Sequence, residues 1–412
     1  MKRTIGKRQV LVGLVFLGIL VGLAVGSGLV DSTSLAAVDE APMFEVDPFW
    51  PKPLPNHWVI GSAVGVSVDS RDHVFIIHRQ QSLNPSTEAD AAGSRKTAPE
   101  CCSPAPPVLE FDPDGNLVGH WGGPSSEYEW PESNHGITID PKDNIWIGGN
   151  GASDAHILKF TRDGKFLKQF GVAGARRAPG SSEDDPEWVR DSHDSKSFGR
   201  VAKISFDRGG TEAFVSDGYF NKRVAVIDAS TGELKRYWGA YGNEPDDKDI
   251  GLYDPDAPPA QQFRNPVHCA EPSNDGLVYV CDRANNRVQV FRADGTFVDE
   301  VILAKQSLGS GAVWDLAFSR DAEQTFIYVA DGKNQKVYLL ERKTLTLLTG
   351  FGDGGRQPGQ FFGVHSIATD SQGNIYTTET YEGKRLQKFV HKGNGPITES
   401  DQGPPWPGSQ KR

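Results

Sequence analysis

Residues 133–140 read SNHGITID, and the phrase returns as NPVHCAEPS at 265–273 and GVHSIATD at 363–370. In each, a histidine stands five residues before the residue that ends a short strand-like run: His135 before Asp140, His268 before Ser273, His365 before Asp370. Three more runs share the pattern without the histidine, namely GVSVD at 65–69, KISFD at 203–207 and DLAFS at 315–319. A chain of 412 residues is long for one continuous core, and six copies of one phrase point to a repeat architecture instead.

Each copy continues in the same way. Second runs follow as VFIIHR, IWIGGN, AFVSDG, VYVCDR, IYVADG and IYTTET, and third runs include VLEFDPDG, ILKFTRDG, VAVIDASTG, VQVFRADG, VYLLERKT and LQKFVHKG. Polar and apolar residues alternate with period two, and DG, TG or KG falls where a hairpin must reverse. HWG, QFG, YWG and GFG close a fourth strand in four of the units. Four short antiparallel strands, six times over, predict an all-β fold, a six-bladed β-propeller of NHL-type repeats over residues 38–395. The last unit lacks a clear fourth strand, and MFEVDPFW (43–50) is expected to supply it and fasten the ring. Stretches 80–106, 172–197 and 243–260 read as long loops around one mouth, and 396–412 as a Pro/Gly-rich tail.

The N-terminus is separate. MKRTIGKRQ carries four positive charges, LVGLVFLGILVGLAVGSGLV carries none, and SLAAVDEA offers small residues. Residues 1–37 are therefore expected to be an export signal cleaved near Ala36 or Ala37, or a membrane anchor; either places the body outside the cytoplasm, secreted or periplasmic. A net charge of −11 argues against nucleic acid or an anionic membrane surface as partner. Membrane contact is expected only through the anchor, and the chain is read as a monomer. An exported chain tends to pair its cysteines. Cys269 and Cys281 flank the SNDG turn on neighbouring strands and are expected to bond, while Cys101 and Cys102 pair with each other or bind a partner.

The position five residues before the end of each first run is, in blade order, Val64, His135, Ala202, His268, Trp314 and His365. First strands line the channel of a propeller, so histidines on blades two, four and six converge on the axis a third of a turn apart. That is the donor set of a three-histidine metal site with an open position, for which zinc is the first choice; copper, iron and nickel accept the same ligands. The plainer alternative is three channel histidines bound to water or backbone, which would not require strict alternation.

Second strands end at the same mouth. There Arg79 and Arg283 occupy equivalent positions on opposite blades, a pair suited to clamp a carboxylate. VSDGYFNKR places Tyr219 beside these cations, where it could serve as a base, or else pack on the channel wall. Tyr381 is expected to pack on that wall, and Arg223 and Arg287 to form ordinary surface ion pairs.

Together these residues resemble the catalytic domain of peptidyl-α-hydroxyglycine α-amidating lyase, over roughly residues 43–393. VFIIHR is similar to the segment bearing that family's substrate-binding arginine, which implies Arg79. The three histidine phrases match its zinc segments, VSDGYFNKR its catalytic-tyrosine segment, and VYVCDRANNRVQVF the segment with its second active-site arginine, Arg283. The resemblance implies a C–N lyase that cleaves a carbinolamide to amide and glyoxylate, acting on a peptide or small molecule with a carboxylate. Three departures stand out. Ser366 replaces an aspartate that helps bind a structural calcium in the family, whose backbone partners would fall near Val66 and Ile137. Phe220 replaces a cysteine after the tyrosine, so that disulfide is not expected. No copper monooxygenase domain precedes the propeller in this sequence, so the hydroxyglycine is expected to be made elsewhere. Two rivals remain: a non-catalytic extracytoplasmic NHL scaffold, and a calcium-dependent propeller hydrolase of the lactonase kind.

Overall fold

The computed structural model describes residues 39–90, 98, 100–182 and 184–397. The N-terminal signal or anchor and most of the Pro/Gly-rich tail lie outside them. The six first runs become the inner strands Ser62–Val68, Asn134–Ile139, Val201–Phe206, Val267–Pro272, Asp315–Phe318 and Val364–Thr369. Each opens a four-stranded antiparallel sheet, and adjacent inner strands touch around a closed circle in which Val364–Thr369 returns to Ser62–Val68. The six-bladed propeller is borne out.

Local chemistry explains the repeat. The residue that ends an inner strand caps the turn after it: Asp140 Oδ1 accepts from the amides of Lys142 and Asn144 at 2.9 Å, and Asp370 Oδ1 from Gln372 and Asn374 at 3.0 and 2.9 Å. Side-chain-to-backbone bonds of this kind stop a strand and start a turn. Buried Val, Ile, Phe and Trp residues then fill the spaces between blades, as where Trp146, Phe170 and Ile204 join blades two and three. Each such side chain contributes roughly 1.5–3 kcal/mol.

Blade six is completed from the other end of the chain. Glu40–Asp47 pairs antiparallel with Arg385–Pro396, with Phe44 opposite His391 and Val46 opposite Phe389. Trp50, just beyond, packs on Phe111 of blade one and Tyr376 of blade six, with ring centroids 5.8 and 4.9 Å away. Strand and tryptophan together lock the two ends of the ring, as the sequence led us to expect.

Both cysteine pairs are bonded, Cys269–Cys281 across directly paired strand positions and Cys101–Cys102 in the first long loop. Arg223 and Arg287 correct the sequence reading. They are not on the surface: each is 1% exposed and bonds a buried aspartate, Arg223 Nε to Asp217 Oδ2 and Arg287 Nε to Asp282 Oδ2, both at 2.8 Å. The long loops cover them, because Arg223 also donates to Ser192 O and Arg287 to Ala260 O.

Candidate active site

Strand pairing slips in five of the six inner strands: the skipped residue is at the histidine position in four of them (Val64, Ala202, His268 and His365), and in blade two it is Gly136, directly after His135. A bulge releases one residue from the ladder and re-aims its side chain. Here it frees His268 and His365 themselves and, in blade two, the Gly136 that follows His135, and all three histidines are buried. One ligating nitrogen from each lies within 4.8 Å of the other two.

What holds the rings follows the same alternation. His135 Nδ1 bonds Ala202 O at 2.7 Å, and His268 Nδ1 bonds Trp314 O. His365 Nδ1 bonds Ser366 Oγ at 3.0 Å, and that hydroxyl donates to Val64 O at 3.4 Å. Each histidine thus leans on the carbonyl at the same position of the next blade, directly or through one hydroxyl. Gly136 permits the first of these contacts: its φ is +67°, and a Cβ there would meet Ala202 O at 2.5 Å.

A carbonyl only accepts, so the δ nitrogens of His135 and His268 carry protons. Burial, reinforced for His135 by Arg79 and for His268 by Arg283, holds both well below the usual imidazole range; burial and the two neighbouring rings do the same to His365. Neutral rings anchored at Nδ1 must present bare lone pairs at Nε2. His135 Nε2 and His365 Nε2 nevertheless face each other at 3.1 Å. The Tyr219 hydroxyl stands 3.0 Å from both His135 Nε2 and His268 Nε2, and its single proton can serve only one. Buried acceptors without donors are costly, and a cation at their centre would satisfy all three. The triad can hold a metal.

Tyr219 is delivered by a close approach. Gly218 presses against the strand that bears His268, and a Cβ there would lie 2.1 Å from Val267 O. Arg283 Nη1 donates to Tyr219 Oη at 3.2 Å and Arg283 Nε to Ser310 O at 3.0 Å, with its guanidinium over the Trp314 ring. Arg79 Nε donates to Asn134 O at 3.1 Å and Arg79 Nη2 to Asn150 Oδ1 at 2.7 Å, and burial pulls its pKa below the usual arginine range. Among the described residues neither guanidinium is bonded to a carboxylate, in contrast to Arg223 and Arg287. Two cations with no carboxylate bonded to them, beside a triad of lone pairs, suit an anionic ligand.

The structure therefore brings Arg79, Tyr219, Arg283 and the three histidines to one mouth. Tyr381 reaches the mouth but not the wall: its side chain is 60% exposed and meets Trp314 edge-on, with ring centroids 6.2 Å apart. Sequence reading missed Asn150, which stands at the position of Arg79 and Arg283 in blade two and could have been found by that alignment. It also missed the carbonyls of Val64, Ala202 and Trp314.

Calcium does not fit the site. Ser366 Oγ is committed to His365, and a cationic side chain, Lys203, lines the same small space as Val66, Ile137 and Ser366. Asp315, an acid that reaches the channel, is bound to Lys203 at 2.7 Å, which leaves a calcium-dependent hydrolase little support.

With this geometry in view, residues 273–291 match the NHL repeat model. The chain is 25% identical over 268 residues to peptidyl-glycine alpha-amidating monooxygenase A of Xenopus laevis, covering 64% of this chain and 25% of that protein. It is 24% identical over 243 residues to the Rattus norvegicus peptidylglycine alpha-amidating monooxygenase, covering 58% and 22%. The chain thus spans about a quarter of the length of the curated relatives it matches. The resemblance to the amidating enzymes is borne out as a similarity over more than half of the chain. Among solved structures, a streptogramin B lyase gives a TM-score of 0.49 at 11% identity, covering 85% of this chain and 98% of that one. Virginiamycin B lyase of Staphylococcus aureus gives 0.46 at 12% identity, covering 80% and 94%. Among the described residues no helix is long and apolar enough to cross a membrane.

Proposed function

We propose that this protein is a metal-dependent carbon–nitrogen lyase that cleaves an N-substituted α-hydroxyglycine to an amide and glyoxylate, with zinc as its metal. The observation that carries the reading is the position of Tyr219 Oη, at 3.0 Å from two ε nitrogens of the triad and 3.2 Å from Arg283. His135, His268 and His365 would hold the ion, and the similarity to the amidating enzymes supports zinc in that role. A bound zinc supplies Lewis acidity that lowers the pKa of a substrate hydroxyl.

The chain's own residues do the rest. Arg79 and Arg283 offer the substrate carboxylate two cations that, among the described residues, are ion-paired with no acid. Tyr219 would act as the phenolate, its own proton having left when the ion binds: Oη takes the hydroxyl proton, the C–N electron pair leaves with nitrogen, and Oη returns that proton to nitrogen. Substrate atoms are conserved between amide and glyoxylate, so no oxidant, reductant or water is consumed. Arg79 also meets the charge that develops as the bond breaks. Both disulfides and the apolar N-terminal segment support an extracytoplasmic placement.

The test is glyoxylate release from N-benzoyl-α-hydroxyglycine by the zinc-loaded protein. Release that disappears in His268→Ala supports the reading. Protein that holds zinc yet yields no glyoxylate from this or an N-acyl peptide substrate removes the lyase and leaves a binding scaffold.

A further inference from the structure

One residue beyond the layer that holds the histidines lies a cluster of charges with no part in the proposed chemistry. Lys203 follows Ala202, whose carbonyl holds His135. Its Nζ lies 2.7 Å from Asp315 Oδ1 and 2.8 Å from Glu271 Oε1. Asp315 follows Trp314, whose carbonyl holds His268. Glu271 lies on the inner strand of His268 itself. The other oxygen of Asp315, Oδ2, accepts from the amide of Ile367 at 3.1 Å, next to the Ser366 that supports His365. Ser205 Oγ donates to Glu271 Oε1 at 2.7 Å and completes the shell.

A single ammonium therefore reaches the supports of all three rings, through blades three, four, five and six. The side chain is 13% exposed, and although burial opposes its charge, Asp315 and Glu271 outweigh that and hold its pKa above the usual lysine range. A buried cation with two carboxylates has little freedom, so it fixes the spacing of the inner strands it joins. Groups that orient metal ligands from behind are known to alter metal affinity without touching the metal.

We propose that Lys203 is a positioning residue of the three-histidine site: its ion pairs with Asp315 and Glu271 set the distance between the carbonyls that aim the imidazoles. The proposal rests on the metal reading above. It does not depend on the lyase reaction.

The experiment uses the full chain and two probes, zinc affinity by chelator competition and the visible spectrum of the cobalt-substituted protein. Lys203→Met keeps an unbranched stem and removes the charge. Zinc binding should weaken about 10–100-fold, with a changed cobalt spectrum. Asp315→Asn, which keeps shape and breaks the pair from the other side, should move both readouts in the same direction and decides the matter where Lys203→Met does not fold. A folded variant that melts earlier but keeps wild-type zinc affinity and the wild-type cobalt spectrum reduces Lys203 to a structural residue and overturns the proposal. Wild-type protein that binds neither metal overturns the metal reading and this inference together, an outcome distinct from the first.

Discussion

Along the channel of this propeller, two neighbouring layers treat their polar atoms in opposite ways. In one, His135, His268 and His365 turn neutral ε nitrogens on one another with a single hydroxyl at hand. In the next, the one ammonium of Lys203 is shared by two carboxylates, Asp315 and Glu271. Arginines divide along the same line. Arg223 and Arg287 are matched to buried aspartates, while Arg79 and Arg283 hold only carbonyls, an amide and a hydroxyl. Folding alone rewards satisfied groups, since a buried polar atom left alone is a cost. Where a well-ordered site keeps its acceptors and cations unpaired, a ligand supplies the missing partner.

Substitutions can break or sharpen this contrast. The largest effect is expected from His268→Ala, which removes one of three donors: metal binding should fall to background and glyoxylate release with it, read by elemental analysis and product assay. Retained stoichiometric metal would mean that the triad is not the site. Tyr219→Phe takes away only the phenolic oxygen. Metal content and fold should persist while turnover drops about 10²–10⁴-fold, as for loss of a general base; unchanged turnover would remove the tyrosine from the mechanism.

The two kinds of arginine should fail differently. Arg223→Ala strands Asp217 in the interior and should cost about 3–5 kcal/mol of stability in denaturant melts, with metal per folded chain unchanged. Arg79→Ala should leave stability nearly intact and weaken a carboxylate-bearing substrate by about 10–100-fold, from a lost charged hydrogen bond of about 1.5–3 kcal/mol. A substrate lacking the carboxylate should not respond. If both variants merely destabilise, the distinction between matched and unmatched cations collapses.

A smaller effect is expected at His78, beside Arg79. Its Nε2 donates to Pro106 O at 3.0 Å and its Nδ1 accepts from the Gly61 amide at 3.1 Å, a neutral tautomer with both nitrogens used. Burial lowers its pKa from 6.5 to about 4. Below pH about 6.5 the unfolded chain takes up a proton that the folded one refuses until about 4, so stability should fall across that window by up to about 3 kcal/mol. The metal-free variant His78→Gln, compared with metal-free wild type in melts from pH 7 to 4, should lose that part of the slope.

Much of this was legible in the chain. Period-two runs with turn signals identify the blades because four of the six inner strands run into an aspartate whose carboxylate caps the turn, and the other two into a serine whose hydroxyl accepts a backbone amide. The histidine register is visible because side chains at one strand position must share one direction. Backbone partners are not visible: Ala202, Trp314 and Val64 contribute carbonyls, and a carbonyl leaves no mark on residue type. Lys203 looks like one polar residue in KISFD, since Asp315 lies 112 residues on and meets it only when the ring closes. Arg223 and Arg287 looked exposed because they follow turn-like Asn-rich segments, and what buries them is long-loop backbone of no regular pattern. Tyr381 follows a second strand as Tyr219 does, which points to the wall, but its φ of +49° belongs to a turn, and the residue is 60% exposed.

The central claim is that three bare lone pairs wait for one cation. Anomalous diffraction at the zinc edge, from crystals of zinc-loaded full-length protein, tests it most directly. One strong peak per chain is predicted, about 2.0–2.1 Å from Nε2 of His135, His268 and His365, with Tyr219 Oη displaced from between the rings. A zinc-soaked crystal with no peak there, and the tyrosine hydroxyl still bridging His135 and His268, would contradict the account.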